Sequence, residues 1–322
     1  MILLRAILAA AVMAVGLGQG AKAQPYPSRV ITLVVPFAAG GGGDAVARVL
    51  GEYLGPALGG RIIIENKPGA NATIGTASVA RAAPDGYTLL LATATTHSVV
   101  PFVMKNLPYD PVQDFTPLAR IGDYPFILVT SPTVPANSLG ELIGVAKAQP
   151  GSLSYGHWQA TNLVAADTLR RRAGLDLLKV PYRGAPQAMT DLLAGRLSMT
   201  FVDLTTGLSN IQAGTLKAIA VAAPTRTRLL PDLPTVSETA GLEGYDIRSW
   251  AAVFGPSGLP PEITGKLSGA ILTVLARPEV QERFRALGFD TQPAGAEELG
   301  RYIRSELVRW KELTEASGLQ PE

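Results

Sequence analysis

Val35-Pro36-Phe37-Ala38-Ala39-Gly40-Gly41-Gly42-Gly43-Asp44 is the stretch on which the reading of this chain turns. Before it, Val30–Val35 is a continuous apolar run of strand length. After it, Val46, Val49, Leu50 and Leu54 fall at helical spacing within Asp44–Leu58. The stretch is therefore a strand-to-helix turn made of glycine. Glycine lets backbone approach a bound group without Cβ interference. Free N–H groups and the positive end of a helix dipole then favour an anion. The bland alternative is a flexible turn in which Asp44 caps the helix. No Gly-Lys-Ser/Thr follows, so a Walker loop is excluded. Ala45 stands where a dinucleotide fingerprint needs its third glycine.

Working outward, the same alternation repeats. Arg61–Asn66 and Thr88–Thr93 read as strands and Thr73–Ala82 as a helix. A second series follows: strands at Phe126–Thr130, Leu153–Tyr155, Lys179–Pro181, Met199–Val202, Ala218–Ala222 and Trp250–Gly255, with helices at Thr161–Ala173 and Ala185–Ala194 among them. Ser138 and Glu141 form a capping box for a helix to Ala148. Such alternation predicts an α/β fold with mainly parallel sheets flanked by helices. The C-terminal part is helical, and the stripe Leu299, Tyr302, Ile303, Leu307 and Trp310 is expected to pack on a domain. Val180-Pro181-Tyr182 echoes Val35-Pro36-Phe37, and the two are read as equivalent positions in two similar lobes. Ligands of open parallel sheets sit beyond the carboxyl ends of the strands, so two facing lobes imply a cleft.

Composition narrows the function. The 322 residues are 47% hydrophobic and 17% charged, which suits globular domains with cores rather than disorder. With a formal net charge of +2 and no basic cluster longer than Arg170-Arg171-Arg172, a nucleic-acid partner is disfavoured. Residues 1–23 read as an export signal: Arg5, the apolar run Ala6–Leu17, then the small-x-small site Ala21-Lys22-Ala23. Cleavage is expected near Ala23, in a bacterial periplasm. The run is shorter than the ~20 apolar residues of a membrane span. The absence of cysteine rules out thiolate chemistry, disulfides and a lipidated cysteine. With two histidines in the chain, His97 and His157, and no Gly-x-Ser-x-Gly or His-Glu-x-x-His, no catalytic set and no metal or cofactor site is expected.

Candidate binding residues follow the strands. In the first lobe they are Phe37, Ala39, Gly40, Gly41 and Asp44, then Thr93, Thr95, Thr96 and His97, whose hydroxyls and imidazole suit carboxylate oxygens. In the second they are Gly156, His157, Trp158 and Thr161, where an aromatic and an imidazole can cover an apolar ligand body. Arg183 is read either as a bidentate partner for a carboxylate or as a surface ion-pair residue, and Asp203 ends a strand where it can orient a donor, accept from a ligand hydroxyl or serve structure alone.

An ordered set of motifs then resembles a known family. It comprises Tyr26-Pro27 with Ile31, Val35-Pro36-Phe37 with Gly40-Gly41 and Asp44, Glu65–Ala70, Pro84–Thr88, and Leu107–Pro111 with Asp114-Phe115. It continues with Val180–Gly184, Asp191–Gly195, Leu233–Val236 with Glu238, and Trp250 with Pro256. From Tyr26 onward the chain resembles the periplasmic solute-binding receptors of tripartite tricarboxylate transporters, the Bug receptors. The resemblance implies a two-lobe, type II periplasmic-binding-protein fold of the Venus-flytrap kind. The expected division is 24–124 plus 224–322 for one lobe and 125–223 for the other. It also implies a monomer that captures a small carboxylate, a di- or tricarboxylate or an aromatic one, for the membrane subunits of a transporter. The loops matching Phe37–Asp44 and Thr93–His97 would grip the carboxylate from the first lobe, often through ordered water. The loop matching Ser154–Thr161 and the acidic position Asp203 would serve from the second. Many members carry Gly-x-Gly-Ser before a His-Leu pair there; this chain has the shorter Gly156-His157-Trp158-Gln159-Ala160-Thr161, so the selectivity loop is remodelled. Two other readings share parts of this pattern: a receptor that presents its closed form to a membrane sensor, and an exported hydrolase using His97 or His157.

Overall fold

The computed structural model describes residues 26–321. The expected export signal and its cleavage site near Ala23 lie outside them.

Two sheets organise the chain. In the first, β1 (Ile31–Val35) is buried apart from the half-buried Thr32, and turns into α1 (Gly42–Ala57). Then come β2 (Ile62–Asn66), α2 (Thr73–Ala80) and β3 (Thr88–Thr93). A π-helical turn, Thr95–Val99, runs into the short α3 (Val100–Val103), and β4 (Phe115–Tyr124) carries the chain across to the second sheet. That sheet holds β5 (Phe126–Thr130), β6 (Ser154–His157), β7 (Leu178–Pro181), β8 (Met199–Asp203) and β9 (Lys217–Val221). Its helices are α4 (Leu139–Ala148), α5 (Ala160–Ala173), α6 (Ala185–Leu193) and α7 (Leu204–Gln212). The chain returns through residues 222–248 to β10 (Ser249–Pro256), α8 (Pro261–Leu275), α9 (Pro278–Ala286), β11 (Asp290–Gly295) and α10 (Ala296–Ser317).

Strand order is β11-β4-β10-β3-β1-β2 in the first sheet and β7-β6-β8-β5-β9 in the second. Read from opposite ends, the two share one plan. The fold class is the expected one, but the sheets are mixed rather than mainly parallel. β1, β2 and β3 pair in parallel, as do β6, β7 and β8, whereas β10 and β5 run antiparallel to both neighbours. The reason lies in connectivity. Parallel neighbours are joined within one sheet by crossover helices. β5 and β10 are the strands that have just arrived from the other sheet, and no crossover helix sets their direction.

The shared plan also corrects the echo of the two Val-Pro-aromatic triplets. β6 occupies the place of β1, and β7 that of the edge strand β2. Pro181 is thus the counterpart of the region after Asn66, and the glycine run's counterpart is the turn after His157.

Sequence missed β4 and β11. β4 contains Pro117, Gly122 and the ion pair Arg120–Asp123 (2.6 Å), and it bonds β10 through two register shifts. It is a strand because its neighbour makes it one, not because its residues favour extended structure. The α10 stripe behaves as expected: Leu299, Ile303 and Trp310 are buried, with the Trp310 Nε1–H donating to Glu306 (3.1 Å). α10 packs on β4 and the π-turn of the first sheet and on α5 of the second. Ser138 accepts from the Glu141 N–H at 3.2 Å, but Glu141 reaches the N–H of Asn137 (2.8 Å) rather than that of Ser138.

Candidate functional site

A cavity of about 570 Å³ lies between the two sheets, at the carboxyl ends of β1, β3, β6, β7 and β8. Five helices begin in its wall: Gly41 caps α1, Ala72 caps α2, Gln159 caps α5, Gly184 caps α6 and Asp203 caps α7. Gly41, Ala72 and Gly184 make no side-chain cap hydrogen bond. Each of these termini presents partial positive charge, and each adds to the others' field.

The glycines serve contact between lobes as well as approach to a ligand. The Gly42 N–H donates across the cleft to Thr206 Oγ1 (2.9 Å). A Cβ on Gly42 would stand 2.1 Å from Asp203 Oδ1 and 3.2 Å from Thr205 Cβ. Gly184, facing back, would place a Cβ 3.0 Å from that of Ala38. Asp203 is buried where β8 meets α7, and Oδ1 accepts from Thr206 N–H (2.8 Å) and Oγ1 (2.9 Å). Burial pushes its carboxyl above the usual range, against the pull of the Thr206 bonds.

Of the expected site residues, Phe37, Gly41, Thr93, His157, Trp158, Arg183 and Asp203 line this cavity. Arg183 is exposed there and makes no ion pair among the described residues. Trp158 is half-buried against the core of the second sheet, so it serves packing and cavity together.

The other expected contacts do not line it. Ala39 and Gly40 form the exposed tip of the turn, Gly40 taking the left-handed φ of +82° that the turn requires. Asp44 braces the turn from behind. Its Oδ2 accepts from Gly40 N–H (3.0 Å) and Arg48 Nε (2.9 Å), and its Oδ1 from Asn66 Nδ2 (3.0 Å), which also donates to the Phe37 carbonyl (3.1 Å). Burial alone would raise the Asp44 pKa, but these bonds outweigh it and the net shift is downward. Its lone pairs are spent inside the protein, and a second carboxylate would be repelled there. Thr96 closes the π-turn, accepting from Thr93 N–H and donating to Thr93 C=O, each at 3.0 Å. Thr95 and Thr161 join hydroxyls at 2.7 Å and tie the π-turn to α5, fully buried. Gly156 lies within β6, where a Cβ would come 2.6 Å from Leu197. His97 is a core residue: its ring lies 4.4 Å from that of Phe254 and 4.7 Å from that of Phe115, and burial pulls its pKa down to about 3.

Sequence reasoning assigned no role to the wall from Pro68 to Ala72, to the crossing residues Tyr124 and Phe126, or to Ser249. Ala70, Asn71 and Ala72 take φ of 46°, 53° and 70°. Three successive left-handed residues other than glycine cost roughly 1–2 kcal/mol each, and strain of this kind gathers at binding sites. Pro68-Gly69 was the available signal. Tyr124, Phe126 and Ser249 had none, because only the crossing between sheets brings them together.

With this geometry, the comparisons with known proteins agree. The family model "Tripartite tricarboxylate transporter family receptor" matches residues 46–319. The chain belongs to this family. Protein BugT of Bordetella pertussis is 32% identical to this receptor over 322 residues, covering 98% of this chain and 97% of BugT. Among solved structures, R. palustris Rpa4515 with adipate superimposes at a TM-score of 0.89 and 30% identity, covering 92% of this chain and all of that one. The periplasmic binding protein BugD does so at 0.88 and 35%, with the same coverage. The receptor thus has the two-lobe binding-protein fold of these relatives.

Proposed function

We propose that this receptor captures a small carboxylate between its sheets in the periplasm and delivers it to the membrane subunits of a tripartite tricarboxylate-type transporter. The observation that carries the reading is the convergence of five helix N-termini on one cavity, three of them without a side-chain cap. An anion at such a terminus is stabilised by up to ~2 kcal/mol when partly buried. The Gly43 end of the glycine turn, the uncapped starts of α2 and α6 and Arg183 hold the ligand carboxylate, while Phe37 and Trp158 cover its body. No catalytic role is assigned to His157.

Closure has a defined form in this reading. The lobes 24–124 plus 224–322 and 125–223 hinge at the two crossings, around Pro125 and through residues 222–248. The ligand and the Gly42–Thr206 bond both favour the closed state, and the ligand's differential affinity drives the shift. Calorimetry of the purified protein against mono-, di- and tricarboxylates tests capture. Binding is expected for some of them, with thermal stabilisation of ~2.7 kcal/mol at a hundredfold excess over Kd. Failure of every carboxylate to bind would overturn the proposal. Loss of uptake of the bound acid by cells lacking the receptor tests delivery, and undiminished uptake would remove the transport role.

A further inference from the structure

The floor of the cleft, away from the glycine run, has a chemistry of its own. Three neighbouring strands of the first sheet meet there: β4 ends at Tyr124, β3 ends at Thr93 and the antiparallel β10 begins at Ser249, which is paired to Tyr124. Thr93 is 5% exposed and Tyr124 4%, and neither hydroxyl has a hydrogen-bond partner among the described residues. Asp203, 8% exposed, faces the floor from the second sheet, and its hydrogen bonds from Thr206 both end on Oδ1. A buried hydroxyl without a partner costs about 1–3 kcal/mol. Two in one cavity wall, beside a carboxylate, are a demand for a ligand group that both donates and accepts.

Resting on the carboxylate reading above, we propose that Thr93, Tyr124 and Asp203 form a second subsite for an uncharged hydroxyl or amide on the ligand, so that this receptor prefers a hydroxylated monocarboxylate to a dicarboxylate. A ligand hydroxyl donates to Asp203 and accepts from both Thr93 and Tyr124 through its two lone pairs, so that neither buried hydroxyl is left without a partner. A second ligand carboxylate would instead stand beside Asp203 in a water-poor pocket. Arg183, exposed at the mouth, is the guanidinium among the described lining residues and is already committed to the first carboxylate. Like charges at close quarters and low dielectric are strongly disfavoured. The preference would set this receptor apart from the structural neighbour described with adipate.

Two matched ligand series test this by calorimetry: benzoate, 4-hydroxybenzoate and terephthalate, then hexanoate, 6-hydroxyhexanoate and adipate. In whichever series fits the cavity, the hydroxy acid is expected to bind at least tenfold more tightly than either companion. Thr93→Val with Tyr124→Phe should bring the ratio of hydroxy to plain acid to within about twofold of one. Asp203→Asn, which still caps α7, should raise the affinity for the dicarboxylate about tenfold. A dicarboxylate that binds as tightly as the hydroxy acid in the parent protein, or ratios unmoved by the substitutions, would overturn the subsite and leave carboxylate capture standing. Failure of all six ligands would overturn both.

Discussion

The two walls of the cleft do different work with different material. Apart from Phe37 and the floor residues Thr93, Tyr124 and Ser249, the wall from the first sheet is backbone: Gly41, Gly42 and Gly43 on one side and the left-handed turn Ala70–Ala72 on the other. The wall from the second sheet is side chain: His157, Trp158, Arg183 and Asp203. A backbone wall recognises what all carboxylates share, because N–H groups and helix termini read charge and shape but little else. A side-chain wall reads the rest of the molecule and can be changed one residue at a time. The turn at the end of β6, which carries His157, Trp158 and Gln159, lies on this second wall, where a change alters the ligand rather than the grip.

Gly42→Ala should break the comparison most severely. The clash is across the cleft, with Asp203 Oδ1 at 2.1 Å, and opening the lobes relieves it. Alanine suits a first helical turn better than glycine does. Affinity for every carboxylate should therefore fall by about a hundredfold, or ~2.7 kcal/mol, while thermal unfolding without ligand is unchanged or slightly improved. A loss of stability in step with affinity would show that Gly42 serves the fold and not closure.

Arg183→Gln should have the next largest effect. The side chain is exposed, so its attraction is screened, and about a tenfold loss is expected rather than the penalty of a buried pair. The parent protein should bind more weakly as salt rises, and the variant should show a shallower dependence. Equal salt dependence in both would place the carboxylate out of reach of Arg183.

These contrasts also explain what could be read from sequence. The glycine run was legible because strand, glycines and helix are contiguous, so one local pattern carries the whole βα turn. The mixed strand directions were not, since β5 and β10 owe theirs to crossings between sheets that leave no local mark. Asp44 was misplaced for a related reason. An acid at a helix start reads the same whether it faces a ligand or, as here, is filled by Gly40, Arg48 and Asn66. The hydroxyls of Thr93, Thr95 and Thr96 look alike in sequence, and only the π-turn sends one to the cavity and two into the core.

His97 sharpens this last distinction, because the smallest effect on affinity is expected at a residue that sequence placed in the site. Its ring is enclosed by Phe115 and Phe254, and burial holds its pKa at about 3, against an ordinary value near 6.5. The folded protein therefore keeps this imidazole neutral where the unfolded chain would protonate it. Stability contributed by His97 is complete above pH 6.5 and drains away as pH falls from there toward 3, at up to about 1.4 kcal/mol per pH unit. Phenylalanine fills nearly the same volume and cannot titrate. Denaturant unfolding of His97→Phe should lose that component of the acid slope, so the curves of variant and parent should separate as pH falls below 6.5, the parent losing stability faster. Affinity at pH 7 should stay within about twofold of the parent, because the ring faces away from the cleft. A tenfold loss of affinity with the acid slope intact would return His97 to the ligand.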